Sequence, residues 1–462
     1  SDYTWHIPCS TCRAIREERC GARLSSPTIC TGFLRTPLWL PQHQMALKLP
    51  IRRDVLALTT PVFFEQLFVN LLGTVNTIMA ARIGRDAVSA IGMVDAVNLI
   101  VSSLFSALAI GATVVVAQCI GAGQRARAGA AATQALVACG LLATILAMLA
   151  ALFREPLLAG LYGNPGGTVQ GYMHEYLLIT ALTYPLTALT LVLSGALRGA
   201  GETRLAMQAN TLMNVANVVF SYVLIYGLRL HTEWFDLNLA GHGVAGAALA
   251  ISLARLSGAL YLFVMLRRYS RVLALKFSGF SFDLSLLRPV FAIGLPSSVE
   301  SLVFNGGKLL VQVMVVGMGT VAIAANFIAF SIALLLNIPG NALSVALTTL
   351  VGQSIGRGDE AGAERDMWYV VKLATLAMLG IALFCAPLAH WLVGLYSTDP
   401  EVVTQGAMLV RLNCLFLMAY PATFVLPNGL KGAGDARYAM VTTLIGLCLF
   451  RLCLAYVFGV VL

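Results

Sequence analysis

The chain has too few charged residues to cover a water-exposed surface. Asp, Glu, Lys and Arg make up 11% of its 462 residues, whereas hydrophobic residues make up 58% and the mean hydropathy is +0.83. Soluble domains average about 25% charged residues, so this composition excludes an ordinary soluble protein. Repeated apolar runs of about 18 residues or more predict membrane-spanning helices instead.

The sequence patterns of catalytic and nucleic-acid-binding sites are also missing. We find no zinc-ligand cluster, nucleophile elbow or phosphate-binding loop, and Cys9-x-x-Cys12 lacks a second pair at zinc-site spacing. The net charge of +9 lies largely in short connections between apolar runs, as in membrane proteins. We therefore predict no enzyme, no cofactor, no structural metal and no nucleic-acid partner.

The first 44 residues differ from the rest of the chain. They contain four of the ten cysteines and show neither helical periodicity nor the apolar core of a signal peptide. We interpret residues 1–44 as a non-native or disordered N-terminal extension. The membrane protein itself is expected to start at Met45.

An internal duplication organises the apolar region. Aligning Pro61 with Pro296 pairs Glu65 with Glu300, at an offset of 235 residues. The same offset aligns the motif that begins at Gln118 with one that begins at Gln353. A third pair of motifs, GAGETR (199–204) and GAGDAR (432–437), follows at an offset of 233. Each copy therefore opens on a helix that contains a proline and a buried glutamate.

The apolar runs predict eleven spans, at residues 54–81, 87–116, 127–152, 171–197, 205–228, 242–266, 286–317, 321–350, 367–393, 402–430 and 437–460. Residues 45–266 form a first lobe of six helices, 267–285 a basic cytoplasmic linker, and 286–462 a second lobe. The second copy has five spans, so we expect a twelfth helix beyond Leu462. The predicted fold is an all-α polytopic membrane protein with two parallel six-helix bundles.

Basic residues are concentrated in alternate connections. One side contains the N-terminal region, the linker and the two GAG motifs, whereas the other has only Arg82, Arg85, Arg154 and Arg229. The positive-inside rule then places the N-terminus in the cytoplasm and the protein in the inner membrane. Because the first copy has an even number of spans, both copies enter the membrane in the same direction and face each other across a central cavity.

Polar side chains recur along single faces of apolar helices. On the seventh span Ser301, Asn305, Lys308 and Gln312 follow a helical spacing and share one face. The other candidate cavity residues are Gln66, Asn70, Asn98, Asn210, Asn214 and Asn326. Small polar side chains also join helices in lipid, which is the simpler interpretation of any single one. Stripes of this kind on five helices favour a polar substrate cavity.

Four residues are candidates for coupling to an ion. Glu65 and Glu300 lie at equivalent depth in the two copies, and a carboxylate deprived of water can take up a proton or hold Na⁺. Asn76 lies eleven residues after Glu65, on the same face. Asp95 is a third acid, and an ion pair with Arg255 is the structural alternative for it. Capping of neighbouring helices is the structural alternative for the two glutamates.

Prolines predict where spans bend. Pro61, Pro185, Pro296 and Pro421 lie within spans, and proline frees the carbonyl four residues earlier. We expect these positions to bend their helices, as suits a transporter that opens on alternate sides.

Several motifs together resemble the multidrug and toxic compound extrusion (MATE) family of antiporters. They are TPVFFEQLF (60–68), VNTIMAARIG (75–84), LRGAGETR (197–204), TTLVGQSIGRGD (348–359) and LKGAGDARY (430–438). The resemblance covers residues 45–462. It implies twelve helices in two lobes and export of amphiphilic, often cationic compounds, driven by inward H⁺ or Na⁺. Many members have an aspartate where Asn76 stands, so the resemblance leaves Glu65 or Glu300 to carry the ion.

Other functions fit the sequence less well. A lipid-linked sugar flippase of the same superfamily would need a more basic cavity than Lys308 alone provides. A major-facilitator transporter would carry an acidic and basic loop after its second helix, where this chain has GAGQRARAG (121–129). The expected partners are a small organic substrate, Na⁺ or H⁺ and the lipid bilayer, and we expect a monomer.

Overall fold

The computed structural model describes residues 52–81, 83–163, 166–232, 235–268, 273, 282–316, 319–447 and 453. The predictions for residues 1–44, most of the linker and the end of the eleventh span lie outside this part of the chain. The same is true of the side chains of Asn76 and Gln312.

The first half of the chain consists almost entirely of helices. They are α1 (Arg53–Ala81), α2 (Arg85–Gly121), α3 (Arg125–Leu152), α4 (Arg154–Tyr162), α5 (Gly167–Leu182), α6 (Tyr184–Gly199), α7 (Thr203–Tyr226) and α8 (Gly243–Arg268). A short antiparallel hairpin of β1 (Gly227–Thr232) and β2 (Phe235–Ala240) joins α7 to α8. We refer to α1–α8 as the first half.

The second half repeats this arrangement. Its helices are α9 (Leu284–Val316), α10 (Thr320–Leu336), α11 (Ile338–Arg357), α12 (Glu360–Gly394), α13 (Pro400–Phe416), α14 (Leu426–Ala433) and α15 (Ala436–Ile445). A 3₁₀ turn, Leu417–Ala419, and a π-helical segment, Pro421–Val425, lie between α13 and α14. We refer to α9–α15 as the second half.

The all-α membrane fold is confirmed. In the described residues eight helices are long and apolar enough to cross a membrane, and two bent pairs bring the number of spans to ten. The eleventh predicted span begins at α15, whose end is not described. The short α4 and the hairpin were not predicted, because neither is apolar enough or long enough to register as a span.

Three predicted spans are interrupted. The predicted helices 171–197 and 321–350 are each two helices that meet at 46°, at Thr183 and at Asn337. The predicted helix 402–430 contains the 3₁₀ and π segments instead of one continuous α-helix. Pro185, Pro339 and Pro421 start the segments after these breaks, whereas Pro61 and Pro296 lie inside uninterrupted helices.

One end of the helix bundle collects the basic residues, and we call it the basic end. The turns α2–α3, α6–α7, α11–α12 and α14–α15 lie there, with Arg125, Arg198, Arg204, Arg357, Lys431 and Arg437 in or beside them. The two GAG motifs turn through Gly201 (φ 86°) and Gly434 (φ 99°). Glycine adopts this left-handed backbone without the steric cost of a side chain.

Each half sends its first helix onto the other half near the basic end. Val55 and Leu58 of α1 are buried in a cluster with residues of α11 and α12. Leu286, Val290 and Ile293 of α9 are buried in a cluster with residues of α2, α3 and α6. The two halves are therefore packed together by contacts that the duplication repeats.

Candidate functional site

Glu65 lies in a buried cluster with an arginine and an asparagine. Its side chain on α1 is 5% exposed, and its Oε1 accepts hydrogen bonds from Arg198 Nη2 and, at 2.7 Å, from Asn210 Nδ2. Arg198 is the last basic residue of α6, and Asn210 belongs to α7. The cluster therefore connects three helices of the first half around one carboxylate. Asn210 was predicted to line a cavity, but its amide belongs to this cluster.

Glu300 has the same surroundings in the second half. Lys431 Nζ of α14 lies 2.8 Å from Glu300 Oε2, and the two side chains are 8% and 14% exposed. Thr443 Oγ1 of α15 donates to Glu300 Oε1 at 3.4 Å. Taking two charges out of water is expensive unless they are paired, which explains why each acid is buried together with a base.

The duplication relates all six residues of the two clusters. Glu65 and Glu300 are 235 residues apart, while Arg198 and Lys431, like Asn210 and Thr443, are 233 apart. The sequence predicted both acids but not their bases, which were interpreted only as residues of inter-helix turns. The equal offset of the acids and of the basic residues was the pattern that could have connected them.

Close backbone contacts join the two halves at the basic end. A methyl group at Gly121 of α2 would lie 2.0 Å from the carbonyl oxygen of Gln353. At the duplicated position, a methyl group at Gly356 of α11 would lie 2.1 Å from the carbonyl oxygen of Gln118. Real side chains do not approach a backbone so closely, so only glycine permits this contact between α2 and α11.

Two glutamine side chains complete the contact. Gln118 Nε2 of the first half donates to the carbonyl of Gly432 at 3.3 Å, and Gln353 Nε2 of the second half donates to the carbonyl of Gly199 at 3.1 Å. Gly199 and Gly432 immediately follow the basic residues of the two buried pairs. Thr349 adds a further bond between the halves, to the carbonyl of Arg198 at 3.2 Å.

Asp95 belongs to a polar network inside the first half. Its Oδ1 accepts from Tyr176 at 3.1 Å and from Asn98 at 3.3 Å. Arg255 instead donates to Thr183 Oγ1 at 2.7 Å and to the carbonyl of Thr180. Both charges lie in the described part of the chain and are held by other groups, so the direct Asp95–Arg255 ion pair that was the alternative interpretation is not formed.

Asn98 packs between helices instead of lining a cavity. It is 6% exposed, and it bonds with Thr180 and accepts from Tyr184 at 2.9 Å. The cavity-lining prediction for Asn98 is therefore wrong in this conformation, because its amide is used up between α2, α5 and α6.

Lys308 lies against aromatic rings of the second half. Its Nζ is 4.7 Å from the ring centre of Phe304 and 5.3 Å from that of Phe330. Phe304 packs edge-on against Phe424, which stacks on Tyr420. We call Phe304, Phe330, Tyr420 and Phe424 the aromatic cluster. Cations over ring faces are attracted by the negative charge of the faces.

The remaining predicted cavity residues are only partly explained. Asn70, Asn214 and Asn305 each donate to the carbonyl four residues earlier, that of Gln66, Asn210 and Ser301 respectively. Asn326 is half-buried on α10. In the described residues no group of three or more His, Cys, Asp or Glu side chains is arranged to hold a metal ion.

Comparison with known proteins identifies the family. The profile of the family MatE matches residues 61–223 and 296–457, one match in each half. The chain belongs to the MatE family. The two matches coincide with the duplication, and the family consists of transporters, so this MatE chain is a membrane transporter for drugs or toxins and not an enzyme.

Relatives of this MatE protein cover most of its length. The probable multidrug resistance protein NorM of Thermotoga maritima is 27% identical over 91% of this chain and 87% of its own. The FAD transporter of Shewanella oneidensis is 26% identical over 77% of each chain. A solved structure described as the outward-facing conformation of a multidrug resistance MATE family transporter is 21% identical, covers 88% of both chains and gives a TM-score of 0.79.

Proposed function

We propose that this MatE protein is a cation-coupled antiporter that exports amphiphilic organic compounds by alternating access. The observation that carries the proposal is the pair of buried acid–base clusters, one in each half, at Glu65 and Glu300. An acid kept in the same buried setting in both copies is expected for a group that exchanges its charge partner during transport.

The coupling ion is a proton at both glutamates. Each carboxylate already holds a basic side chain, so Na⁺ would bring a second positive charge next to Arg198 or Lys431. Like charges at this distance repel strongly where water is scarce. A proton instead neutralises the acid and releases the base. Glu65 Oε2 is buried without a hydrogen bond among the described residues, which leaves an acceptor for the proton.

The basic end faces the cytoplasm of the cell, in the inner membrane, because the connections there hold most of the Arg and Lys residues. The contacts between Gln118, Gln353 and the opposite half then close the cytoplasmic side. We propose that the halves, residues 45–266 and 286–462, act as two lobes of a monomer and separate at this end to admit substrate.

The substrate site lies between the lobes, and the aromatic cluster forms part of its wall in the second half. Aromatic rings bind flat apolar and cationic compounds by stacking and cation–π attraction. Lys308 specifically favours aromatic compounds with an acidic group, since its ammonium already lies over two of the rings. One relative is named for FAD, an aromatic compound that carries phosphates.

Gradient-driven efflux from proteoliposomes tests the proposal. We expect purified protein to move an amphiphilic dye when a pH gradient is imposed, and to stop when a protonophore collapses that gradient. A Na⁺ gradient alone is expected to drive no efflux. Efflux that follows the Na⁺ gradient and ignores the protonophore would overturn the proton assignment, and no gradient-dependent efflux at all would overturn the antiporter.

A further inference from the structure

The contacts at the basic end and the buried ion pairs lie one residue apart in the chain. Gln118 of the first half donates to Gly432 of the second, and Gly432 follows Lys431, the base that is paired with Glu300. Gln353 of the second half donates to Gly199 of the first, and Gly199 follows Arg198, the base that is paired with Glu65. The duplication therefore places an acid, a base, a carbonyl and an amide in series twice.

We infer that these two series form a cytoplasmic gate whose closure is controlled by the charge of Glu65 and Glu300. Each ion pair fixes the turn that presents the acceptor carbonyl to the glutamine of the opposite half. This inference rests on the proposed antiporter function and assigns Gln118, Gln353, Arg198 and Lys431 as positioning residues in it. The ligand that opens the gate is the cation that neutralises the glutamate.

The physical basis is the cost of leaving a buried base without its partner. Arg198 and Lys431 are 22% and 8% exposed, so each depends on its glutamate to compensate its charge. When the glutamate is neutralised, the base must regain water, and both bases lie at the end of the bundle where solvent is nearest. Its movement displaces the neighbouring carbonyl, and the bond to the opposite half is lost.

The closed gate also depends on close backbone approach. The halves meet at Gly121 and Gly356, where any side chain would overlap the backbone of Gln353 or Gln118. Gly352 beside them would bring a methyl group within 2.9 Å of the side chain of Ala117. A methyl group at Gly121 or Gly356 is therefore expected to hold the gate open without touching the ion pairs.

The gate can be measured without transport, by the distance between spin labels on the two halves. Ala126 and Ala361 are exposed, duplicated positions at the starts of α3 and α12. Both would be replaced by cysteine and labelled in the full chain, with the natural cysteines replaced and the protein in lipid nanodiscs. The parental chain is expected to show mainly the short distance of the closed gate.

Four variants test the gate. Gly121→Ala and Gly356→Ala should shift most of the population to a longer distance. Gln353→Glu keeps the shape of the side chain but cannot donate to Gly199, and should raise the open fraction about fivefold, as expected for one net hydrogen bond. Glu65→Gln should raise it as well. The control Gly140→Ala, where a methyl group meets nothing within 4 Å, should leave the distances unchanged.

The outcomes separate the gate from the antiporter. A parental distance distribution in Gly121→Ala and Gln353→Glu would overturn the gate, whatever their transport activity. Opening by these two variants but not by Glu65→Gln and Glu300→Gln would overturn control by the glutamates. Opening by all of them in a protein that shows no gradient-driven efflux would leave the gate standing and overturn only the proposed function.

Discussion

At the scale of single residues, the molecule is defined by two carboxylates that share their burial with a base. Glu65 and Glu300 lie deep in an apolar bundle, yet each has a positively charged partner and a further hydrogen-bond donor. Buried ion pairs contribute little net stability, but removal of one partner leaves an uncompensated charge. Their energetics are therefore strongly non-additive.

Removal of Glu300 alone should destabilise the protein more than removal of both partners. We expect Glu300→Gln to cost about 3 kcal/mol, because Lys431 remains charged and buried. The double variant Glu300→Gln with Lys431→Met should recover most of this loss. Thermal unfolding in detergent measures both, and equal losses in the two variants would contradict the prediction.

The exposed pair of Arg365 and Asp359 is the matched control for that experiment. Its atoms are 4.0 Å apart, and the side chains are 77% and 50% exposed. Exposed pairs contribute about 0–1 kcal/mol, so Arg365→Ala should change the unfolding temperature little.

Lys308 should determine the charge of the preferred substrate. We expect Lys308→Met to reduce export of an aromatic carboxylate about tenfold or more, as loss of a charge-assisted contact of at least 1.4 kcal/mol requires. Export of a cationic dye should be unchanged or faster. Competition between the two dyes in proteoliposomes measures the ratio, and an unchanged ratio would contradict this role.

At the scale of helices, close packing depends on a few glycines. A methyl group at Gly246 of α8 would lie 2.2 Å from the carbonyl oxygen of Leu224 in α7. We expect Gly246→Ala to cost about 1–3 kcal/mol, because the two helices must move apart. Gly380→Ala in α12 is the control, since a methyl group there meets nothing within 4 Å. Unfolding temperatures that change equally in both variants would contradict this explanation.

The helices and their duplication were predictable from the sequence, because apolar runs and repeated motifs are local patterns. The breaks at Thr183 and Asn337 were not, since the predicted spans 171–197 and 321–350 are apolar throughout. Likewise, hydrophobicity predicted that Glu65 is special, but not that Arg198 lies beside it. A partner on another helix depends on how helices pack, and this is not contained in their spacing along the chain.

At the scale of the whole molecule, orientation in the membrane determines what the gate does. Cysteine at Ala126, at the basic end, should react with a membrane-impermeant maleimide only after right-side-out vesicles are permeabilised. Cysteine at Thr168, exposed at the start of α5 near the opposite end, should react in intact vesicles. The reverse pattern would place the closed gate on the outer side and contradict the proposed direction of export.

Coupling between the cation and the substrate is the central claim, and substrate-driven proton movement tests it most directly. Proteoliposomes with a trapped pH indicator would receive an outward substrate gradient and no imposed proton gradient. The parental protein is expected to move protons against the direction of substrate flow. The double variant Glu65→Gln with Glu300→Gln should bind substrate but move no protons, whereas proton movement at the parental rate in that variant would contradict the account.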